Sequence, residues 1–234
     1  MFPLNESLAE LVGVIIGDGC LYRKQYMVMI TGHIKNDRLY YELLVKYLKG
    51  LGLNPRLNIR GRGLRLVIRN KLFYNFLAGL GVHEGKKAFV CTIPDTIVAD
   101  KSLLRSCIRG IFNSDGTIFV SEKPGVKRYP TIELATSSKE LKNQLDLHLK
   151  NFGLRPRTRK IKDSRTGNTI HRIALHGKLM VKLWYDVIGM THPYKTETMS
   201  KILSEPGGNR TPIARFLTQQ ASVSQDSNPR VLSH

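Results

Sequence analysis

Helix-period and strand-period segments alternate along the chain, and they do so twice. Leu8, Leu11, Val12 and Ile15 recur at helical spacing behind Asn5 or Ser7, either of which suits an N-cap, and the pattern stops at Gly17 to Gly19. Tyr26 to Thr31 is rich in strand formers. Leu39, Leu43, Leu44, Tyr47, Leu48 and Leu51 predict a second helix closed by Gly52. Arg56 to Arg60 alternates strictly, which predicts an amphipathic strand with one basic face. Arg60-Gly61-Arg62-Gly63 reads as a hairpin turn into Leu64 to Arg69, and a helix over Lys71 to Leu80 closes the unit.

The same order returns in the second half. Gly13-Val14-Ile15-Ile16-Gly17-Asp18-Gly19-Cys20-Leu21-Tyr22 aligns with Gly110-Ile111-Phe112-Asn113-Ser114-Asp115-Gly116-Thr117-Ile118-Phe119, 97 positions on. Leu51-Gly52-Leu53-Asn54-Pro55-Arg56 aligns with Phe152-Gly153-Leu154-Arg155-Pro156-Arg157, and Lys71-Leu72 with Lys178-Leu179. The slowly growing offset is what loop insertions in the second copy produce. Strands over 131–136, 157–162 and 171–175 and helices over 141–152 and 178–188 complete that copy. The expected organisation is a first repeat over 1–101, a second over 102–204, and a disordered tail over 205–234, where Gly, Pro, Ser, Gln and Asn replace periodic apolar residues.

Charge narrows the partner. Among 234 residues, 37 Lys and Arg face 18 Asp and Glu, a formal net charge of +19. Residues 1–101 hold 15 basic against 8 acidic side chains and residues 102–204 hold 19 against 8, so both repeats are expected to touch the same polyanion. Much of the arginine lies on predicted strands, unlike a membrane-surface helix, and no apolar run is long enough to cross a bilayer. With no basic leader ahead of an apolar segment, an intracellular setting is expected, cytoplasmic or nucleoid-associated, with an organelle as the alternative. Cys20, Cys91 and Cys107 lack CxxC spacing, so they read as reduced core residues rather than zinc ligands. Because the sequence opens on Met and closes on Ser-His, without the nucleophile and terminal Asn that protein splicing requires, an intein origin is not expected.

The chemistry concentrates in the repeated Asp-Gly. A helix C-terminus carries unpaired carbonyls and partial negative charge, and the following Gly is expected in the left-handed turn that stops the helix. Asp18 and Asp115 add negative charge there, and a divalent cation such as Mg²⁺ is the simplest compensation. Gly13 and Gly17, with Gly110 and Ser114, give each helix small residues four apart. Packed on each other, the two helices would bring both aspartates together at one end. Paired carboxylates holding metal are what an in-line phosphodiester displacement uses.

GVIIGDGCLY and GIFNSDGTIF resemble the two motifs of a single-chain LAGLIDADG homing endonuclease. The resemblance extends over residues 8 to about 203 at the level of repeat architecture, with close matching confined to the motifs. It implies an α+β fold of two pseudo-symmetric αββαββα repeats. The motif helices would pack at the repeat interface, and two four-stranded antiparallel sheets would form a saddle over double-stranded DNA. It implies that Asp18 and Asp115, helped by the carbonyls of Gly17 and Ser114, hold Mg²⁺, with Ca²⁺ supporting binding without cleavage. A basic residue late in each repeat, Lys86 or Lys87 and then Lys195, would act beside the phosphate. The implied activity is sequence-specific double-strand cleavage by a monomer. Intron RNA maturation and silent DNA-binding regulation are the alternatives. DNA contacts are expected from Arg23, Gln25, Arg56, Asn58, Arg60, Arg62 and Arg65 in the first copy. The second offers Lys127, Arg128, Arg157, Arg159, Lys162, Arg165 and Arg172. Arg suits guanine edges and Asn or Gln adenine edges, and many of these side chains would contact phosphates only.

Overall fold

The computed structural model describes residues 2–85 and 88–204, the side chains of Val126 and Lys127 excepted. The expectations for Lys86, Lys87, Lys127 and the segment 205–234 therefore fall outside the described residues. Two sheets of the same topology lie beside a central helix pair. The first repeat runs α1 (Glu6–Asp18), β1 (Gly19–Tyr22), β2 (Met27–His33), α2 (Ile34–Gly50), β3 (Arg56–Arg60), β4 (Gly63–Arg69) and α3 (Lys71–Gly79). A short α4 (Asp95–Val98) precedes the second. That repeat runs α5 (Lys101–Asp115), β5 (Gly116–Lys123), β6 (Val126–Thr136), α6 (Lys139–Asn151), β7 (Arg157–Lys162), β8 (Thr169–His176), α7 (Lys178–Val187) and α8 (Pro193–Ser204). The strand orders are β1-β2-β4-β3 and β5-β6-β8-β7, every neighbour antiparallel.

The motif helices meet through their glycines. A Cβ at Gly13 would fall inside contact distance of the Cys107 carbonyl oxygen and 2.9 Å from Ile111 N. One at Gly110 would do the same against the Glu10 carbonyl oxygen and lie 3.0 Å from Val14 N. Further along, a Cβ at Gly17 would lie 2.8 Å from Ser114 Cβ. Contacts that climb together along both helices mean that α1 and α5 run side by side in the same sense, so their C-terminal ends lie together. Asn5 caps α1 by accepting from Leu8 N at 2.9 Å, and Asp100 caps α5 by accepting from Ser102 N and Leu103 N at 2.8 and 3.0 Å. The core gathers around this pair, with Leu8, Ile15, Ile111, Phe112, Phe73 and Trp184 all fully buried.

Four expectations change. Gly19 and Gly116 are extended (φ −91° and −80°), not left-handed, because each helix runs straight into its strand. Glycine is required there for space: a Cβ would lie 2.6 Å from Ile15 Cα in one repeat and 2.5 Å from the Phe112 carbonyl oxygen in the other. Helix α2 starts at Ile34, where His33 Nδ1 accepts from Lys35 N at 3.3 Å, so its first turn is polar and lies ahead of the apolar stripe. Strand β6 starts at Val126, because pairing with β5 carries it through residues that lack a strand pattern of their own. Helix α8, absent from the periodicity, docks by burying Met199 and Ile202.

Candidate active site and nucleic-acid face

Side-by-side packing of α1 and α5 brings the two motif aspartates to one place. A Cβ on Gly17, the residue before Asp18, would lie 3.3 Å from Asp115 Cγ. Asp18 is half-buried and Asp115 exposed. A cavity of about 520 Å³ opens beside them, lined by Gly17, Cys20, Asp115, Ala135 and Ile170 among others. The Asp18 carbonyl accepts from the Thr31 hydroxyl at 3.4 Å.

Lys195 completes this end of the helix pair. Its Nζ donates to the carbonyls of Phe112, Asn113 and Ser114 at 2.9, 2.6 and 3.1 Å, so the ammonium caps α5 where carbonyls are unpaired. Burial lowers its pKa to about 8, although Asp37, Asp18 and Asp115 all favour the charged form. The Ser114 carbonyl, expected as a metal ligand, is therefore already engaged by a cation from α8. Tyr41 from α2 faces the same charges. Burial first, then Asp18, Asp37 and Asp115, push its hydroxyl well above the ordinary tyrosine value, and the buried hydroxyl has no hydrogen-bond partner among the described residues. Burial raises the Asp37 carboxyl, but the His192 hydrogen bond (3.2 Å) and the His33 amide (2.6 Å) outweigh it and hold the group below the carboxylate norm.

Behind this end lies a polar network that ties the repeats together. Glu10 Oε1 accepts from Tyr40 at 3.2 Å, Asn113 at 3.0 Å and the Thr191 hydroxyl, while Oε2 accepts from Arg109 Nε at 2.8 Å. Arg109 also donates to the Ile188 carbonyl at 3.2 Å. Asn113 thus serves the segment that leads into α8 and Lys195.

The faces of the sheets turned away from the helices carry half of the expected DNA contacts. In the first sheet Leu64, Leu66 and Ile68 face the core, so Arg65 faces out. Asn58 pairs with Arg65, Arg56 with Val67 and Arg60 with Gly63, which places all three β3 side chains on the open face. Arg62 is exposed in the β3–β4 turn, and Arg23 and Gln25 are exposed in the 3-10 turn after β1. In the second sheet Arg157 and Arg159 oppose Ala174 and Arg172 on the open face. Lys162 does not join them. It pairs with Thr169, in phase with the core-facing His171 and Ile173, so the alternation turns it the other way. Arg128 is exposed near the start of β6 and shares the phase of the inward-facing Ile132 and Leu134, while Arg165 is exposed in the β7–β8 turn.

Glu133, Tyr41, Asp37 and His192 were not anticipated. Glu133 and Asp37 carried no motif signal, and only cross-strand register or helix docking reveals their neighbours. Among the described residues no group of three or more His, Cys, Asp or Glu side chains could hold a metal. The two aspartates are the side chains that would hold a metal here.

Residues 102–189 match the family model for a LAGLIDADG-like domain. The chain is 27% identical over 206 residues to the replication factor C small subunit of Methanocaldococcus jannaschii, and 25% identical over 207 residues to that of Thermococcus kodakarensis. Each match covers 88% of this chain but only 10% and 22% of those proteins. Among solved structures, I-DmoI in complex with DNA and Ca superposes with a TM-score of 0.57 at 16% identity, over 85% of this chain and 98% of that one. The N-terminal LAGLIDADG domain of DUF199/WhiA superposes with a TM-score of 0.55 at 17% identity, over 86% and 88%. With one motif aspartate closing each of two like-folded repeats, the chain carries a LAGLIDADG-like domain over its second repeat and shares its overall fold with these LAGLIDADG structures.

Proposed function

We propose that the protein is a divalent-metal-dependent, sequence-specific double-strand DNA endonuclease. The observation that carries this reading is the meeting of Asp18 and Asp115 at adjacent helix ends, between two sheets whose open faces are rich in arginine. Two carboxylates with few other protein donors suit Mg²⁺, which is commonly held by one or two carboxylates together with phosphate oxygens and water. Bound there, the metal would polarise a phosphodiester and lower the pKa of an attacking water. The protein's own part is to hold the aspartates together through Gly13 and Gly110. Lys195 places a positive charge beside them, and the basic strands fix the duplex across both repeats. The repeats, each with its own sheet and aspartate, are the units proposed to address the two halves of an asymmetric target.

A binding-only reading draws support from Lys195, because its ammonium already occupies the Ser114 carbonyl. One experiment decides between them. A randomised DNA library is first selected for binding in Ca²⁺ and for cleavage in Mg²⁺. Asp18→Asn and Asp115→Asn are then compared with wild type on the selected site. Each substitution removes a negative charge near phosphates, so affinity in Ca²⁺ stays the same or rises. Mg²⁺-dependent cleavage falls by orders of magnitude at either position. Binding without cleavage by the wild-type protein establishes the binding-only reading. Unchanged cleavage in both variants refutes the two-aspartate site.

A further inference from the structure

On the open face of the second sheet, a carboxylate sits in the middle of the arginines. Glu133 lies on β6, in register with Thr117 on one side and Ala174 on the other, and only 7% of it is exposed. Its Oε1 accepts from Arg172 Nη1 at 2.5 Å and its Oε2 from Arg159 Nη2 at 3.2 Å. Arg159 and Arg172 are direct cross-strand partners, a pairing of like charges that is unfavourable unless an anion lies between them. Glu133 supplies that anion, and the guanidinium groups cover it while remaining 62% and 35% exposed themselves.

The first sheet shows that the fold does not need this arrangement. There the register places Met29 where Glu133 stands, Asn58 where Arg159 stands and Arg65 where Arg172 stands. A buried carboxylate on a surface meant only to attract phosphates works against it by repulsion and by its own desolvation. What the carboxylate adds is geometry. Each guanidinium has five N–H donors in a rigid fork, and Glu133 engages one nitrogen of each, which limits how the remaining donors are presented.

We propose that Glu133 is a positioning residue that clamps Arg159 and Arg172 as guanine readers in the half of the target under the second repeat. This rests on the duplex-DNA reading above. Clamped forks match the paired acceptors of a guanine edge in the major groove. The triad has lost one positive charge relative to two free arginines, so it contributes less to sequence-independent attraction and more to discrimination. Under the first repeat, Arg65 has Met29 rather than a carboxylate beside it and is left to hold phosphates or adapt to several bases.

The test is selection of a randomised duplex library in Ca²⁺ with wild type, Glu133→Gln and Arg172→Lys, together with affinity for an unrelated duplex. Wild type is expected to favour guanine, on either strand, at positions clustered in one half of the site. Glu133→Gln loses that preference by about tenfold or more, keeps the preferences of the other half, and binds unrelated duplex at least as well as wild type. Arg172→Lys keeps the charge but not the fork and loses the preference at one of those positions, which preserves the test should Glu133→Gln not fold. Base preferences unchanged in a folded variant would make the triad a structural ion pair and overturn the clamp alone. So would loss of a cytosine preference in Glu133→Gln, because Glu133 would then be the reader. Folded wild type that binds no duplex overturns both the clamp and the reading beneath it.

Discussion

In the first repeat Arg65 lies between Thr31 and Asn58 on a sheet face whose central side chain is Met29. In the second, Arg172 lies between Ala135 and Arg159, with Glu133 in the central place. At the helix ends the Thr31 hydroxyl reaches the last carbonyl of α1, and an ammonium from α8, outside the αββαββα unit, caps three carbonyls of α5. Lys87 and Lys195 each stand six residues after a glycine of positive φ that follows the last helix of the unit, Gly81 and Gly189. Only the second falls among the described residues. Backbone topology is repeated, then, while the charges laid over the two open sheet faces are not. Two halves of one duplex would be met by one scaffold with two chemistries.

The largest expected effect tests the symmetric part. Gly13→Ala and Gly110→Ala each push a methyl group into the backbone of the opposite motif helix, where no side chain can move aside. Each is expected to cost about 3–5 kcal/mol, the range of severe core overpacking. In a chain of this size that lowers Tm by roughly 6–20 °C. Gly50→Ala, at a position with no heavy atom within 4 Å, is the control and leaves Tm unchanged or slightly raised. Similar losses at Gly13 and Gly110 uphold a shared interface; a loss at one alone breaks the symmetry at its root.

A smaller effect probes the asymmetric part along the same helices. Glu10 and Cys107 occupy equivalent positions, 97 apart, yet Glu10 gathers four donors while Cys107 is a fully buried thiol whose pKa burial pushes up. Glu10→Ala leaves Arg109 and Asn113 without their shared acceptor and is expected to cost about 2–3 kcal/mol. Cys107→Ala removes only a small apolar volume and costs about 1 kcal/mol. Urea denaturation of both variants checks the ratio. Equal costs would show that the Glu10 network adds nothing beyond packing.

How far the sequence reaches follows the same division. The repeat, the motif helices and the converging aspartates were legible because local periodicity and a recurring Asp-Gly encode them. So was the basic face of β3, where strict alternation in Arg56 to Arg60 is a local signal. Lys162 was misjudged because β7 is basic on both faces, and composition cannot say which side of a pleat a lysine takes. Helix α8 was missed because it buries only Met199 and Ile202 and therefore writes a weak stripe. The clamp on Arg159 and Arg172 depends on three strands meeting in register, which neither charge counting nor spacing contains.

The smallest expected effect concerns acid, and it too divides the repeats. His148, His171 and His176 all belong to the second repeat, and burial lowers the pKa of each below the ordinary 6.5. Lysines reinforce this at His171, and Lys123 and Arg157 do so at His176, while Glu133 opposes it there. Below 6.5 the unfolded chain binds protons that the folded chain does not yet accept, so stability falls as the pH drops from above 6.5 through the lowered native values. Trp184, the single tryptophan, is fully buried on α7 against Phe112 at 4.8 Å and reports on this repeat. Thermal unfolding followed by Trp184 fluorescence should move down by a few degrees between pH 7 and 5. Hydrogen exchange over the same range should show β8 losing protection before β4. His148→Gln combined with His171→Gln should flatten the Trp184 response. Equal loss of protection in both sheets would instead place the acid sensitivity in the α1–α5 interface that the repeats share.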